Sequence, residues 1–354
     1  MNENHYAVVV GINRYPGISD LAGPVNDAAA FYGWLVDDTA GGLPPENAWL
    51  VEASAAEVHL LEPYDAEPKR WRIDRALGLA VRKARTDIGD DPDRWDRSRL
   101  YFFVAGHGIA PYGSDAALLA ADAQRGAYGS NLDIRLHVDW LRRCADFREV
   151  VVFADCCRNR VNNATPGGPV FDSCPITRGV VVPLVGYATA FSDLAYEEVD
   201  EAIPPDQRRG YFSKALMEAL SGDSGAADPA SGDVTAASLA AWLTQRVAAL
   251  TEDKAVRQRV EMPVPSVPML FREATGRPQH AVAIHVPPGE TRGLVLIDHT
   301  RSTIEASDAV PGVAWQVALE DGVYQVVLAD TEDGSVFAGS GLFEVRGEGR
   351  DVQL

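Results

Sequence analysis

A histidine and a cysteine stand at the ends of two apolar runs of the same design. Leu100-Tyr101-Phe102-Phe103-Val104-Ala105 leads into Gly106-His107-Gly108, and Val150-Val151-Val152-Phe153-Ala154 leads into Asp155-Cys156-Cys157-Arg158. A continuous apolar run bounded by turn signals reads as a strand buried on both faces, as in a parallel sheet. In open α/β sheets, ligands meet protein at the carboxyl ends of the strands, so chemistry is expected at His107 and at Asp155 to Arg158. The glycines beside His107 let the backbone turn sharply and allow a substrate to approach closely. His107 and Cys157 are 50 residues apart, room for one helical crossover between neighbouring parallel strands. A thiol beside an imidazole is what a cysteine nucleophile and its base require. Adjacent residues of an extended segment point to opposite sides, so one of Cys156 and Cys157 faces the cleft and the other is buried.

The rest of the chain must position that pair. Tyr6 to Val10 reads as a first strand, followed by a turn-rich loop from Asn13 to Pro24. Asn26 or Asp27 then suits the cap of a helix that carries Ala30, Phe31, Trp34 and Leu35. Asn47 to Glu52 reads as a strand, and Ile73 to Arg85 and Leu136 to Cys144 as helices. Asp87 to Ser98 is polar and reads as a surface loop. Arg158 to Arg178, rich in Pro, Gly and Asn, reads as a long mobile loop beside the nucleophile. A strand over Val180 to Val185 is followed by an acidic loop from Asp193 to Arg209, then by helices over Ser213 to Leu220 and Ala236 to Leu250. After about residue 278 short strands recur at turn-punctuated intervals, which predicts a small antiparallel β domain, a sandwich, over 279–354. It is acidic and holds no catalytic constellation, so it is expected to bind a partner or pack on the first domain.

Composition narrows the function classes. Length suits two domains, and 46% hydrophobic with 23% charged residues is ordinary for a globular protein. No apolar run approaches the ~18 residues of a membrane helix. Met1 to His5 runs straight into a strand-like segment without a basic region or a cleavage site, so a cytoplasmic location is expected. Cys144, Cys156, Cys157 and Cys174 show no CxxC spacing, which argues against structural zinc. The net charge of −19 disfavours nucleic acid and anionic membranes and favours encounter with basic peptides.

The chain resembles caspase-like cysteine peptidases, and looks closer to prokaryotic caspase-like proteins and metacaspases than to animal caspases. The residues that carry the resemblance are Tyr6 to Tyr15, Leu21 to Ala28, Gly106-His107-Gly108, Asp155-Cys156-Cys157-Arg158 and Tyr211 to Leu216, and it covers roughly residues 5 to 275. It implies an α/β caspase-like (caspase-hemoglobinase) fold over 1–278, a mostly parallel central sheet flanked by helices, ahead of the small all-β domain. It also implies a His107–Cys157 dyad, with Cys157 the nucleophile, and an oxyanion hole from the backbone N–H groups of Gly108 and Cys157. Asp155 falls where metacaspases carry an acidic pocket residue, and Asp27 on their second. Two carboxylates facing one pocket suit a guanidinium or ammonium, so cleavage after Arg, with Lys second, is expected. Asp193 is expected to line the same groove. Ala105 stands where metacaspases have a serine.

The aspartate that many metacaspases use for calcium, seven residues past the cysteine, is Ala164 here. Asp115, Asp122 and Asp133 are scattered, so neither a calcium requirement nor any other cofactor is expected. The expected partner is a protein or peptide substrate, with an upstream protease as activator of a zymogen. Arg178, Arg208 and Arg209 lie in loops where nicking concentrates, and are candidate self-cleavage sites. Two other readings are an Asp-directed peptidase and a catalytically silent scaffold that binds partners through its acidic β domain.

Overall fold

The structure, a computed structural model, describes residues 2–53, 62–171, 178–198, 200, 202–222, 224–228, 230–254, 256–274, 279–286, 293–300, 302–308, 312–320, 322–328, 341–345 and 350–354. It separates into two compact units, Met1–Ala226 with Val234–Arg272, and Ala227–Asp233 with Glu273–Leu354. The expected boundary at 278 falls on 275–278, outside the described residues.

In chain order the first unit contains β1 (His5–Gly11), α1 (Pro24–Val36), β2 (Ala48–Glu52), α2 (Arg70–Ile88), α3 (Pro92–Asp96), β3 (Arg99–Ala105), β4 (Gly108–Pro111), β5 (Ala117–Leu119), β6 (Asn131–Asp133), α4 (Ile134–Cys144), β7 (Glu149–Asp155), β8 (Arg160–Val161), β9 (Val182–Tyr187), α5 (Tyr211–Leu220), β10 (Val234–Thr235), α6 (Ala236–Leu250) and β11 (Leu270–Arg272). The main sheet has the order β2-β1-β3-β7-β9 and every pair in it is parallel. Strand alternation sends Val8, Val10, Phe102, Val104, Val150 and Val152 to one face, against Ile73, Leu77 and Val81 of α2. Val9, Tyr101, Phe103, Val151 and Phe153 go to the other, against Phe31 of α1, Phe212 and Leu216 of α5 and Leu243 of α6. Phe31 stacks on Phe103 with ring centroids 4.9 Å apart. Each such buried side chain is worth about 1.5–3 kcal/mol relative to exposure, so the central strands form a rigid floor. The register sets Ala105 of β3 opposite Asp155 of β7, which puts the segments bearing His107 and Cys157 side by side.

Several expectations are corrected. Neither Asn26 nor Asp27 caps α1: Pro24, whose fixed φ suits a first helical turn, starts that helix earlier, with Gly23 as its cap residue. The polar stretch after Asp87 is not a plain loop. Asp91 accepts from the N–H groups of Asp93 and Arg94, capping α3, and Trp95 is buried with its indole N–H on Ala145 O. Three short strands, β4 to β6, intervene between His107 and α4, where one crossover helix was expected. The start of the segment after Cys157 is held rather than loose. Arg158 is buried; it donates to Asp115 O and Thr189 O, pairs with Glu261, and lies 4.2 Å over the Tyr187 ring. Residues 172–177 of that segment, with Cys174, are outside the described residues. Among the described residues no helix is long and apolar enough to cross a membrane.

The second unit contains β12 (His280–His285), β13 (Gly293–Asp298), β14 (Thr303–Asp308), β15 (Ala314–Leu319), β16 (Gly322–Leu328), β17 (Leu342–Val345) and β18 (Arg350–Gln353). They form sheets of order β15-β12-β18 and β14-β13-β16-β17. Val282, Ile284 and Val317 from one sheet and Leu294, Leu296 and Val326 from the other make one core, so this unit is a sandwich. It is not wholly antiparallel, because β12 and β18 run parallel.

Candidate active site

The carboxyl ends of β3 and β7, with the loop after β1, open into a cavity of about 160 Å³, lined among others by Asp27, His107, Asp155, Cys157, Glu197 and Gly210. His107 and Cys157 therefore share one cavity. Cys156, the preceding residue, is buried, whereas Cys157 is partly exposed, as alternation along an extended segment dictates.

The loop after β1 fixes the imidazole. His107 Nε2 lies 2.8 Å from Ser19 O and 3.4 Å from the Ser19 hydroxyl. A carbonyl can only accept, so Nε2 carries the proton and Nδ1 bears the lone pair of the neutral ring. Tyr15, fully buried, accepts from the His107 N–H at 3.0 Å and donates to Leu119 O at 3.1 Å. Its ring meets the imidazole edge-on, centroids 4.7 Å apart. Burial pulls the His107 pKa down, against the Ser19 carbonyl, Glu197 and Asp20, which pull it up.

Cys157 is covered by a strap whose described residues are 195–198, 200 and 202–210. Its Sγ accepts from Ala195 N at 3.3 Å and lies 3.6 Å from Ala195 O. Burial raises the thiol pKa and Asp155 raises it further, while the Ala195 N–H acts the other way. At neutral pH the pair is thus a thiol and a neutral imidazole. Gly108 packs directly on the cysteine segment: a Cβ there would fall 2.5 Å from Cys157 O and 2.7 Å from Cys156 Sγ. Only glycine fits that approach.

Asp27 and Asp155 meet at the first turn of α5, which has no side-chain cap of its own. The Gly210 N–H reaches Asp27 Oδ2 at 2.8 Å, and Ser213 donates its N–H (3.1 Å) and its hydroxyl (2.6 Å) to Asp155 Oδ2. Orphan N–H groups at a helix start attract negative charge, so the two acids do for α5 what a cap would. Gly210 is wedged between them, and a Cβ there would run into the Asp155 carboxylate. Burial, then the neighbouring acid, raises Asp27 to about 8 against the pull of Arg209 and Gly210. Burial raises Asp155 to about 6 against Ser213 and Arg209.

Other expected residues lie elsewhere. Asp193 is not in the cavity lining; it pairs with Arg259 at 2.7 Å. Arg178 is half-buried and pulls on Asp146. Arg208 donates to Ile203 O, and its own carbonyl accepts from Asn26 Nδ2 at 2.8 Å. Arg209 pairs with Asp27. The three arginines are therefore half-buried or tied down, not freely exposed as expected. Asp133 caps α4 and Asp122 accepts from Ser130. Among the described residues no group of three or more His, Cys, Asp or Glu side chains comes together to hold a metal ion.

No family model and no curated protein matches the chain. Among solved structures it is similar to one described as the structure of pro-sf-caspase-1, at 12% sequence identity and a TM-score of 0.39, over 77% of this chain and 92% of that one. At that level the likeness assigns no chemistry to this chain.

Sequence reasoning missed Glu197. Its carboxylate lines the cavity and accepts from Ala22 N (3.2 and 3.1 Å) and Gly23 N (2.8 Å). It thereby ties the strap over Cys157 to the loop that orients His107. The signal that could have found it is its place two residues after Ala195, in the acidic run Glu197-Glu198. The Ser19 carbonyl left no side-chain signal at all.

Proposed function

We propose that the chain is a cysteine endopeptidase that cleaves after arginine, with lysine second, through a His107–Cys157 dyad. The observation that carries this reading is the cavity itself: thiol, imidazole and three carboxylates line one small space at the ends of neighbouring parallel strands.

In the proposed reaction the Nδ1 lone pair of His107 accepts the Cys157 proton as Sγ attacks the scissile carbonyl carbon. The C–S bond forms and the carbonyl π electrons move to oxygen, which the Gly108 and Cys157 N–H groups stabilise. Collapse breaks the C–N bond, and His107 returns its proton to the leaving amine. Water, deprotonated by His107, then attacks the thioester; the C–S bond breaks and the thiol recovers its proton. The Ser19 carbonyl holds the imidazole in the tautomer this requires and favours the imidazolium that forms. Asp155 and Asp27, with Glu197 nearby, supply negative potential for a guanidinium or ammonium and repel an acidic side chain.

In the observed state the Sγ–Ala195 contact closes the nucleophile, which fits a zymogen that opens when the strap moves, on activation by another protease or by self-cleavage. The intended partner is a basic protein or peptide in a regulatory, defence or cell-death type of proteolysis.

The test uses matched fluorogenic peptides with Arg, Lys or Asp at the position before the cut, on wild type and Cys157→Ala. Turnover selective for Arg and lost in Cys157→Ala is expected. Asp-selective turnover would keep the dyad and overturn the pocket. Turnover that survives in Cys157→Ala would overturn the dyad.

A further inference from the structure

The carboxylate of Asp27 already has a cation on it. Arg209 Nε pairs with Oδ1 while the Gly210 N–H takes Oδ2. Arg209 is not part of the cavity lining; it belongs to the strap. Its backbone is fully engaged there. The N–H donates to Glu198 Oε2 at 3.2 Å and the carbonyl accepts from Glu198 N at 2.9 Å, so its peptide bond is not offered to Cys157. One end of the guanidinium is left over: Nη2 is buried without a hydrogen-bond partner among the described residues. A buried charged donor without an acceptor is costly. Asp155 differs, since both Ser213 bonds go to Oδ2 and Oδ1 has no hydrogen bond among the described residues. The strap that delivers Arg209 is held by polar ties rather than by a packed sheet; besides the contacts to Asp27 and Cys157, Tyr196 N donates to Gln258 Oε1 at 2.9 Å. Asn26 Nδ2 donates to Pro205 O and Arg208 O, Glu197 takes Ala22 N and Gly23 N, and Glu198 pairs with Lys214 at 2.6 Å.

We propose that Arg209 is the specificity gate of the pocket: from outside the cavity it holds the charge of Asp27 that a substrate's basic side chain would otherwise use, so that full selection for arginine is reached only when the strap withdraws it. With Arg209 seated, the three carboxylates Asp27, Asp155 and Glu197 face one internal positive charge, and a guanidinium entering the cavity meets Asp155 as its one partly free carboxylate. With Arg209 withdrawn, Asp27 joins Asp155 and a two-carboxylate site forms. The same displacement exposes Sγ, because Arg209 and Ala195 belong to one strap. Occupancy by a basic side chain and opening of the nucleophile are therefore linked.

The inference rests on the basic-pocket reading above, and its test reads the pocket without peptide turnover. The intact chain is alkylated with an argininyl and a norleucinyl chloromethyl ketone, and the rate at Cys157 is followed by mass spectrometry. The Arg/norleucine rate ratio reports the pocket's preference for a cation. Arg209→Gln should raise that ratio by about tenfold or more, the loss of a charge-assisted competitor, whereas Arg209→Lys should leave it within about twofold of wild type. An unchanged or lower ratio in Arg209→Gln would overturn the gate. Should that variant not fold, Asn26→Ala loosens the strap with every charge in place, and an unchanged ratio there overturns the gate equally. A raised ratio with no turnover of any peptide would keep the gate and remove the peptidase. Arg-peptide turnover equal in wild type and Arg209→Gln, with an unchanged ratio, would do the reverse.

Discussion

The floor of the cavity and the strap above it are built on different physics. The floor consists of the ends of β3 and β7, held by a sheet buried on both faces and by a continuous parallel ladder from Arg99 and Glu149 to Ala105 and Asp155. Among the described residues the strap contains one isolated bridge, Glu197 with Gly210, and is otherwise held by side-chain hydrogen bonds and by the ion pairs of Arg209 with Asp27 and of Glu198 with Lys214. A packed sheet is fixed to fractions of an ångström, whereas a segment held by a few polar ties opens at low cost. A nucleophile needs the first kind of support and its control needs the second. Substitutions in the two regions should therefore fail differently: those in the floor through kcat or through the pocket's own charge, those in the strap through access to that pocket.

The largest effect is expected at Gly108. Gly108→Ala forces a methyl against Cys157 O and Cys156 Sγ, displacing the nucleophile and one proposed oxyanion donor together. Active enzyme should lose about 10²-fold in kcat, with KM little changed. A loss confined to KM would mean that the floor is not the chemical half of the site.

Next comes Asp155→Asn, which keeps an acceptor for Ser213 but removes the charge. The kcat/KM for Arg peptides should fall about tenfold to 10²-fold, and that for norleucine peptides much less. The pH profile sharpens this. Asp155 and Asp27 titrate near 6 and 8, and only the deprotonated acids attract a guanidinium. The Arg/norleucine ratio in kcat/KM should therefore rise from pH 5 to pH 9, and Asp155→Asn should lose the part of the rise near pH 6. A ratio that falls with pH would contradict the assignment. The same raised values have a folding consequence with the opposite sense. The folded state holds these protons more tightly than the unfolded chain, so the associated stability is present below the ordinary carboxylate range and is lost as pH rises toward 8.

The smallest effect is expected in the strap. Glu197→Gln keeps one acceptor oxygen for Ala22 N and Gly23 N but removes the charge and puts an NH2 group in place of the second oxygen that Ala22 N also reaches, weakening the tie at a cost of about 1–3 kcal/mol. Limited proteolysis should cut 195–210 faster, with kcat on small peptides changed only a few-fold. Equal protease resistance in variant and wild type would show that Glu197 does not hold the strap.

The same division decides what could be read from the sequence. His107 and Cys157 stand out because the signal is local: an apolar run, then a polar residue among glycines. The central strands and the helices α2, α4, α5 and α6 were legible for the same reason. The strap was not. Its ties join residues 175 and 182 positions apart, Glu197 with Ala22 and Arg209 with Asp27, and no periodicity announces such pairs. Asp193 and Glu197 have similar local settings, and only the fold turns one toward Arg259 and the other into the cavity. The Asp91-Pro92 start of α3 was a readable cap that the polarity of its neighbours concealed. Strands β4 to β6, of three or four residues each, are too short to alternate visibly.

Because Asp27 and Asp155 also hold the first turn of α5, the charge of this pocket is not a free design variable. A lineage or an engineer wishing to reverse the preference toward acidic side chains could not simply write lysine or arginine at either position. The Gly210 and Ser213 N–H groups would lose their acceptors, and a cation would stand against the positive end of the helix. Some other residue would first have to take over the helix end. Neutral amides are the nearest accessible neighbours, so a change of selectivity would have to pass through an indifferent intermediate before any reversal.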